Sequence, residues 1–442
     1  MKKVIVAIMG LFFGVVNAQE VTKDSVKPVS IDSLKEAVNE HSMKFSALDE
    51  KFSGIDSDLA KLTKIKLSGY IQGQYDVYDY LDHIGPGTST KEAPVTNTFS
   101  IRRARVKFTY ETANGVVFAL QPEFAFDKVT LKDAYVRLND RWTNTYSLTV
   151  GQFDRPNYET EYSSGSMESL ERTRMSTILY PGERDLGAKI EANFETTYEI
   201  PLKLQLAVIN GNLNLGTTTN QLKDIDSHKD VMARAVYALK FPNKGLGIDF
   251  GAHGYFGKNG VISQTVPPTV YSDINNNPFT PEVGDKLDKT WFGGETQVYY
   301  DFLGGMALKA EYIAGTLSGT TIPAESNPAF NYNRVRKFEG YYLQFIKNVG
   351  IKNQLCIRYD VFDPNTKLSG DAVTDKGDLK YSTWAFSWQY YFDDNIKVIA
   401  GYTLPINEAS QLLSTPNTSI AVNNFQQDNK DNTFTIRIQA KF

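Results

Sequence analysis

Three cations recur at every second position in one short stretch: Arg103, Arg105 and Lys107 of FSIRRARVKFTY, residues 99–110. Side chains two apart on an extended strand share a face. Ala104, Val106, Phe108 and Tyr110 then share the other. A row of fixed cations in a water-filled lumen concentrates anions, but the same row also fits the wet face of a soluble sandwich. A second charged stretch follows at residues 153–184, a connection of about thirty residues holding Glu159, Glu161, Glu168, Glu171, Arg172, Arg174 and Arg184. Connections that long are usually functional. If it folds inward, Glu168, Glu171, Arg172, Arg174 and Arg184 would form a constriction with both signs of charge and a transverse field on passing solutes. The plainer reading is a surface lid with solvated charges.

Other chemistry is thin. The four histidines are His41, His83, His228 and His253, none at metal-ligand spacing, and HExxH, GxSxG and a phosphate-cradling Gly-rich loop are missing. His253 and Asp249 share a strand face, so a hydrolase is conceivable, but a polar liner is the simpler reading of His253. We therefore expect no enzyme activity, no cofactor and no metal. The one cysteine, Cys356, gives no disulfide framework and no Cys-based metal site. A formal net charge of −4 gives no support for nucleic-acid binding.

The elements that must position these charges are strands. From Lys64 onward, alternating segments about ten residues long recur, sixteen in all. The clearest is Thr383–Phe392, with Trp384, Phe386, Trp388, Tyr390 and Phe392 opposing Thr383, Ser387 and Gln389. An even count and weak ten-residue alternation are the signature of an outer-membrane barrel. Connections alternate in length as well. Glu111–Gly115, Asp140–Asn144 and Pro242–Gly245 are short, whereas Leu81–Thr96, Gly211–Lys229 and Lys258–Lys289 are long. Asp127–Val129 is the exception, short on the long side. Pro122 falls on the apolar side of its segment, an awkward place in a sheet interior.

The final strand puts Phe434, Ile436, Ile438, Ala440 and Phe442 on one face. Such a terminal aromatic strand predicts recognition by the barrel-assembly machinery. Trp384, Trp388, Tyr390 and Phe392 fit an interfacial aromatic girdle in contact with outer-membrane lipid.

The expected fold is all-β: a transmembrane antiparallel β-barrel of about sixteen strands over residues 65–442, with an N-terminal helical coiled-coil segment. Residues 1–18 read as a secretory signal, with Lys2 and Lys3 before an apolar run and a small-residue site at Val16-Asn17-Ala18. Residues 19–64 carry an unbroken heptad stripe that includes Ile31, Leu34, Val38, Phe45, Leu48 and Phe52, with His41 as a polar core position. On the lumen phase of the barrel, roughly twelve Lys and Arg, Arg137 among them, face about eight acids. The lumen leans positive while the whole chain is net negative.

FSIRRARVKF (99–108), the DAYV run at Asp133–Val136 and VGQF at Val150–Phe153 resemble the phosphate-selective porin O and P family. The order and spacing match over Lys64–Tyr180, and the later strands follow the rhythm. The resemblance implies a sixteen-stranded barrel, a homotrimer in the bacterial outer membrane, and passive uptake of small anions such as phosphate. It also implies an inward-folded loop, with Arg102, Arg103, Arg105 and Asp133 helping to bind the anion. The third loop here is as acidic as it is basic, which departs from a tight phosphate ladder. The expected function is a passive porin with modest anion preference, for phosphate or polyphosphate. The alternative is a non-conducting surface adhesin or scaffold barrel.

Overall fold

The computed structural model describes residues 65–79, 96–112, 115–125, 128–211, 224, 226–261, 268, 270–318, 334–374, 376–411, 426–428 and 431–442. The signal and coiled-coil expectations for residues 1–64 lie outside these.

Eighteen strands run along the described chain: β1 Ile65–Tyr78, β2 Asn97–Glu111, β3 Val116–Ala125, β4 Lys128–Asn139, β5 Tyr146–Asp154, β6 Arg184–Asn193, β7 Leu202–Ile209, β8 Asp230–Phe241, β9 Leu246–Gly260, β10 Tyr271–Ser272, β11 Pro278–Phe279, β12 Lys286–Tyr300, β13 Met306–Ser318, β14 Val335–Val349, β15 Asn353–Asp363, β16 Tyr381–Tyr391, β17 Ile396–Asn407 and β18 Thr433–Lys441. The pair β10–β11 is a separate ribbon, and the other sixteen form one closed antiparallel barrel. Each joins its neighbour in sequence. The ring closes where β1 pairs with both β2 (Leu67 opposite Phe108) and β18 (Ile71 opposite Ala440). Backbone bonds between Gly69 and Phe442, 3.0 Å in each direction, extend that seam.

The barrel is inside-out relative to a soluble protein. Leu67, Phe99, Phe108, Phe124, Leu138 and Trp384 are exposed on the outer face, whereas Gln72, Arg103, Arg105, Gln121, Asp133 and Gln389 are buried on the inner one. This is the alternation that an apolar band and a polar lumen require. The expected sixteen strands and the sorted connections are therefore present, including the short link between β3 and β4.

Two irregularities change which residues face inward. Gln72 pairs with Arg103 but Gly73 with Ile101, so Arg102 is an extra residue in β2. Gln121 pairs with Asp133 but Pro122 with Leu131, so Lys132 is extra in β4. Such bulges let two successive side chains point the same way. The second also accommodates Pro122, which has no N–H to give the ladder.

The apolar core lies inside the barrel, on one side of it. Ala207, Ile209, Met232, Tyr255, Trp291, Ile313, Phe338 and Phe362 line the inner wall and pack against Met175, Ile178, Leu179 and Tyr180 of the long connection between β5 and β6. Trp291 stacks on Tyr255 with ring centroids 3.9 Å apart, and its indole N–H donates to the Tyr180 hydroxyl at 2.9 Å. This patch seats the connection against the wall. Truncating a core aromatic costs about 3–5 kcal/mol, and here that loss falls on the loop, since the ladder of the barrel is untouched. Trp291→Ala should leave a folded, heat-modifiable barrel that trypsin cuts after Arg172 or Arg174, read by mass of the fragments. Equal resistance in wild type and variant would show that the patch does not hold the loop.

Candidate functional site

The strands end at Asp154 and resume at Arg184, so the inward connection is residues 155–183. Arg184, expected within the loop, opens β6 instead. The root is fixed by a fully buried ion pair, Arg155 Nη2 to Asp185 Oδ2 at 2.8 Å, and by Arg155 donating to the Pro181 carbonyl at 3.1 Å. Asn157 caps the one-turn helix Tyr158–Glu161 by accepting from the Glu159 N–H. Thr173 caps Arg174–Leu179 by accepting from Ser176 N–H. The second helix supplies the apolar residues that meet the wall.

Between the helices the loop crosses the lumen, and its carbonyls meet donors on the far wall. Gln439 donates to Gly165 O at 2.9 Å, Gln389 to Met167 O at 3.0 Å, and Ser387 to Glu168 O at 2.6 Å. Arg437 donates to Leu170 O at 2.7 Å, and Arg358 to Glu171 O at 2.6 Å. Glu168 accepts from Lys309 at 2.8 Å and from the Tyr162 hydroxyl at 2.8 Å.

Glu171 is the centre of a clamp. Arg102 bonds it in bidentate fashion at 2.9 and 2.8 Å, Arg103 at 3.0 Å and Arg437 at 2.6 Å. The bulge in β2 is what allows Arg102 and Arg103 to reach one carboxylate. Burial alone would raise the Glu171 carboxyl, but the three guanidiniums outweigh it and hold it well below the usual range. Arg103 is almost wholly buried, whereas the side chains of Arg102 and Glu171 stay 33% and 38% exposed.

A second network lies toward the short-turn end. Arg105 pairs with Glu123 at 2.8 Å, and Lys132 reaches the same carboxylate at 3.2 Å. Lys107 pairs with Asp133 at 2.8 Å, which also takes Arg184 at 3.0 Å. Arg184 further contacts Asp154 and Glu183, and Arg172 pairs with Glu183 at 2.7 Å. A third anchor is Glu161, met by Lys189 at 3.0 Å and Arg234 at 2.8 Å.

Arg103, Arg105 and Lys107 therefore face the lumen as expected, yet each is matched by a carboxylate. Among the described residues Arg137 and Arg174 have no salt bridge. Arg137 donates to Thr149 at 3.3 Å beside the Tyr135 ring. The Arg174 guanidinium lies 3.8 Å over the Tyr381 ring.

Two chambers lie against the inward connection. One, about 720 Å³, opens toward the long loops and is lined by Asp76, Ser100, Arg174 and Asp360 among others. The other, about 530 Å³, opens toward the short turns past Lys107, Ser164, Lys397 and Lys441. Arg172 lines both.

The family model described as phosphate-selective porin O and P matches residues 65–439. The chain belongs to this family. It is a porin of the bacterial outer membrane. Solved structures share the barrel at low identity. A high-pH structure of Pseudomonas putida OprB is 11% identical with a TM-score of 0.56, over 88% of this chain and 97% of that one. An anion-selective porin from Comamonas acidovorans is 11% identical with a TM-score of 0.50, over 86% and 99%. Salmonella typhi OmpF in complex with daunomycin is 13% identical with a TM-score of 0.50, over 86% and 97%. At these identities the likeness is one of fold. No curated protein matches the chain by sequence.

Several site residues of this porin escape a reading by alternation. Lys132 is turned inward only by its bulge. Arg155 has no strand phase. Lys289 and Arg336 are buried inside the barrel, at strand positions outside the segments marked by clear alternation. Lys289 pairs with Asp230 at 2.5 Å and Arg336 with Asp378 at 2.6 Å.

Loop anchoring has a defined pH range. Burial pushes the Glu161 carboxyl up, but Lys189, Lys203 and Arg234 prevail and hold it at about 2. A carboxyl depressed in the folded state contributes its full anchoring above the free value of about 4.3 and loses it as pH falls through the folded value. With Trp291 kept as the sole tryptophan, the difference in its fluorescence between Glu161 and a Glu161→Gln variant should stay constant from pH 8 to 5 and shrink only below about 4. A difference that already shrinks near pH 6 would contradict the role given to Glu161.

Proposed function

We propose that this porin passes small anions passively, with a modest preference over cations, past the inward loop on the side of the wall formed by β1, β2 and β18. One observation carries the reading: three guanidiniums, Arg102, Arg103 and Arg437, surround the single carboxylate of Glu171. The clamp keeps two positive charges in excess beside the chamber open to the long loops, which Arg102, Glu171 and Arg437 line. Phosphate or polyphosphate fits the same donors, since guanidinium forks bind carboxylate and phosphate alike. The preference is modest because an incoming anion competes with a carboxylate already in place. The family resemblance and the N-terminal heptads support a homotrimer. The channel works without catalysis.

A second reading is a barrel that does not conduct, serving as an adhesin or scaffold. It is favoured by the loop's bonds to wall strands on several sides of the lumen, from Lys309 on β13 to Arg102 on β2. Planar-bilayer recording in a salt gradient separates the two. The anion reading predicts single-channel steps with a reversal potential of anion sign. A unit charge about 5 Å from the path in water changes the local ion concentration about fourfold at low salt. The change has opposite sign for anions and cations, so Glu171→Gln should raise the anion-to-cation permeability ratio about sixteenfold, and Arg102→Gln should lower it. Cation preference in the wild type would sink the anion reading. Absence of steps from a folded barrel would favour the second.

A further inference from the structure

We propose that His253, Glu295 and Glu311 form a binding site for one divalent transition-metal cation, of the Zn²⁺ class, behind the root of the constriction loop. The three residues project into the lumen from adjacent strands β9, β12 and β13. They are 4%, 5% and 2% exposed. Glu295 and Glu311 are direct cross-strand partners. His253 lies opposite Gly293, and Glu295 lies opposite Gly251. A Cβ on Gly293 would collide with the His253 ring, and one on Gly251 with the Glu295 carboxylate. The two glycines thus clear the volume that the imidazole and carboxylate occupy.

The groups are arranged as ligands that lack a centre. Both ring nitrogens of His253, Oε2 of Glu295 and Oε2 of Glu311 are buried with no hydrogen-bond partner among the described residues. Orphaned buried polar atoms are rare, and a single ion would satisfy three of these four: one ring nitrogen and the two carboxylate oxygens. The other oxygen of each carboxylate is held. Arg234 donates to Glu295 Oε1 at 2.5 Å, and Asn157 donates to Glu311 Oε1 at 2.7 Å. Such outer partners orient ligating carboxylates. Arg234 balances one of the two negative charges, which leaves the second for a cation. One ligand atom from each residue lies within 4.8 Å of the others. Ligands around tetrahedral zinc, bound at about 2.0–2.1 Å, sit about 3.3 Å apart, so rotation of the side chains closes the site. An imidazole with two carboxylates suits zinc better than the all-oxygen shells of Ca²⁺ or Mg²⁺. Through Asn157 the ion would tie the loop root to the wall.

The test uses the full-length protein purified from membranes. It is stripped with chelator, refolded in detergent with or without Zn²⁺, and analysed for metal by mass spectrometry. We expect about one zinc per chain in wild type, falling at least tenfold in His253→Gln and in Glu311→Gln. Heat-modifiable mobility shows that each variant has folded. If a variant does not fold, Co²⁺ added to the wild type decides: visible d–d absorption that Zn²⁺ abolishes supports the site. Zinc content no higher than the chelated control, equal content in folded variants, or Co²⁺ without such bands would overturn it. None of these readouts depends on conductance.

Discussion

A strand edge in hydrocarbon has no water to bond, so every backbone group of this chain must find its partner within the sheet. The pairing of β1 with β18 meets that demand. It also fixes the interior, because sixteen tilted strands enclose far more space than their own side chains can fill. That space must hold water, chain or both. The connection between β5 and β6 takes up part of it, and everything of functional interest follows from how it is held there.

It is held in two different ways. The second half, with Met175, Ile178 and Leu179, seats by exclusion of water against Trp291, Phe338 and Phe362. The middle, from Glu161 to Glu171, is held by charge. Buried guanidiniums on the wall are costly unless paired. Glu161 and Glu171 supply those partners, and Arg172 in turn meets Glu183. Paired buried charges add little net stability, but removal of one partner strands the other. The network therefore specifies where the loop lies more than how strongly the barrel folds. It also explains why the loop is as acidic as it is basic.

The barrel was legible in the sequence because its code is local. Alternation and the apolar-out pattern of strands such as Thr383–Phe392 are each visible within a dozen residues, and the sorting of loop lengths needs only the order of those segments along the chain. The inward direction of Arg103, Arg105 and Lys107 followed from the same rule. What lay hidden depends on partners far apart in the chain. One extra residue at Arg102 or Lys132 resets the phase, and nothing in FSIRRARVKF alone marks where the bulge falls. The apolar lumen patch draws single residues from many strands, so no one strand displays it. His253 looked isolated because Glu295 and Glu311 arrive from two other strands, more than forty positions away. The acids of the loop could be counted, but not matched to their arginines, until the loop was seen to cross the lumen.

On the anion-channel reading, this matching decides the kind of selectivity available. Glu171 is tethered, so its effective concentration at Arg102, Arg103 and Arg437 is set by the loop and not by the bath. A free anion must displace it or share the guanidinium donors that it leaves over. Tight capture of phosphate would require the clamp to release its own carboxylate at each passage. An anion that only skirts the clamp feels the excess positive charge without that exchange, and it leaves as easily as it enters. A channel must bind well enough to admit an ion and weakly enough to let it go. A wall of arginines already satisfied by carboxylates leans toward the second requirement, and so toward flux over affinity.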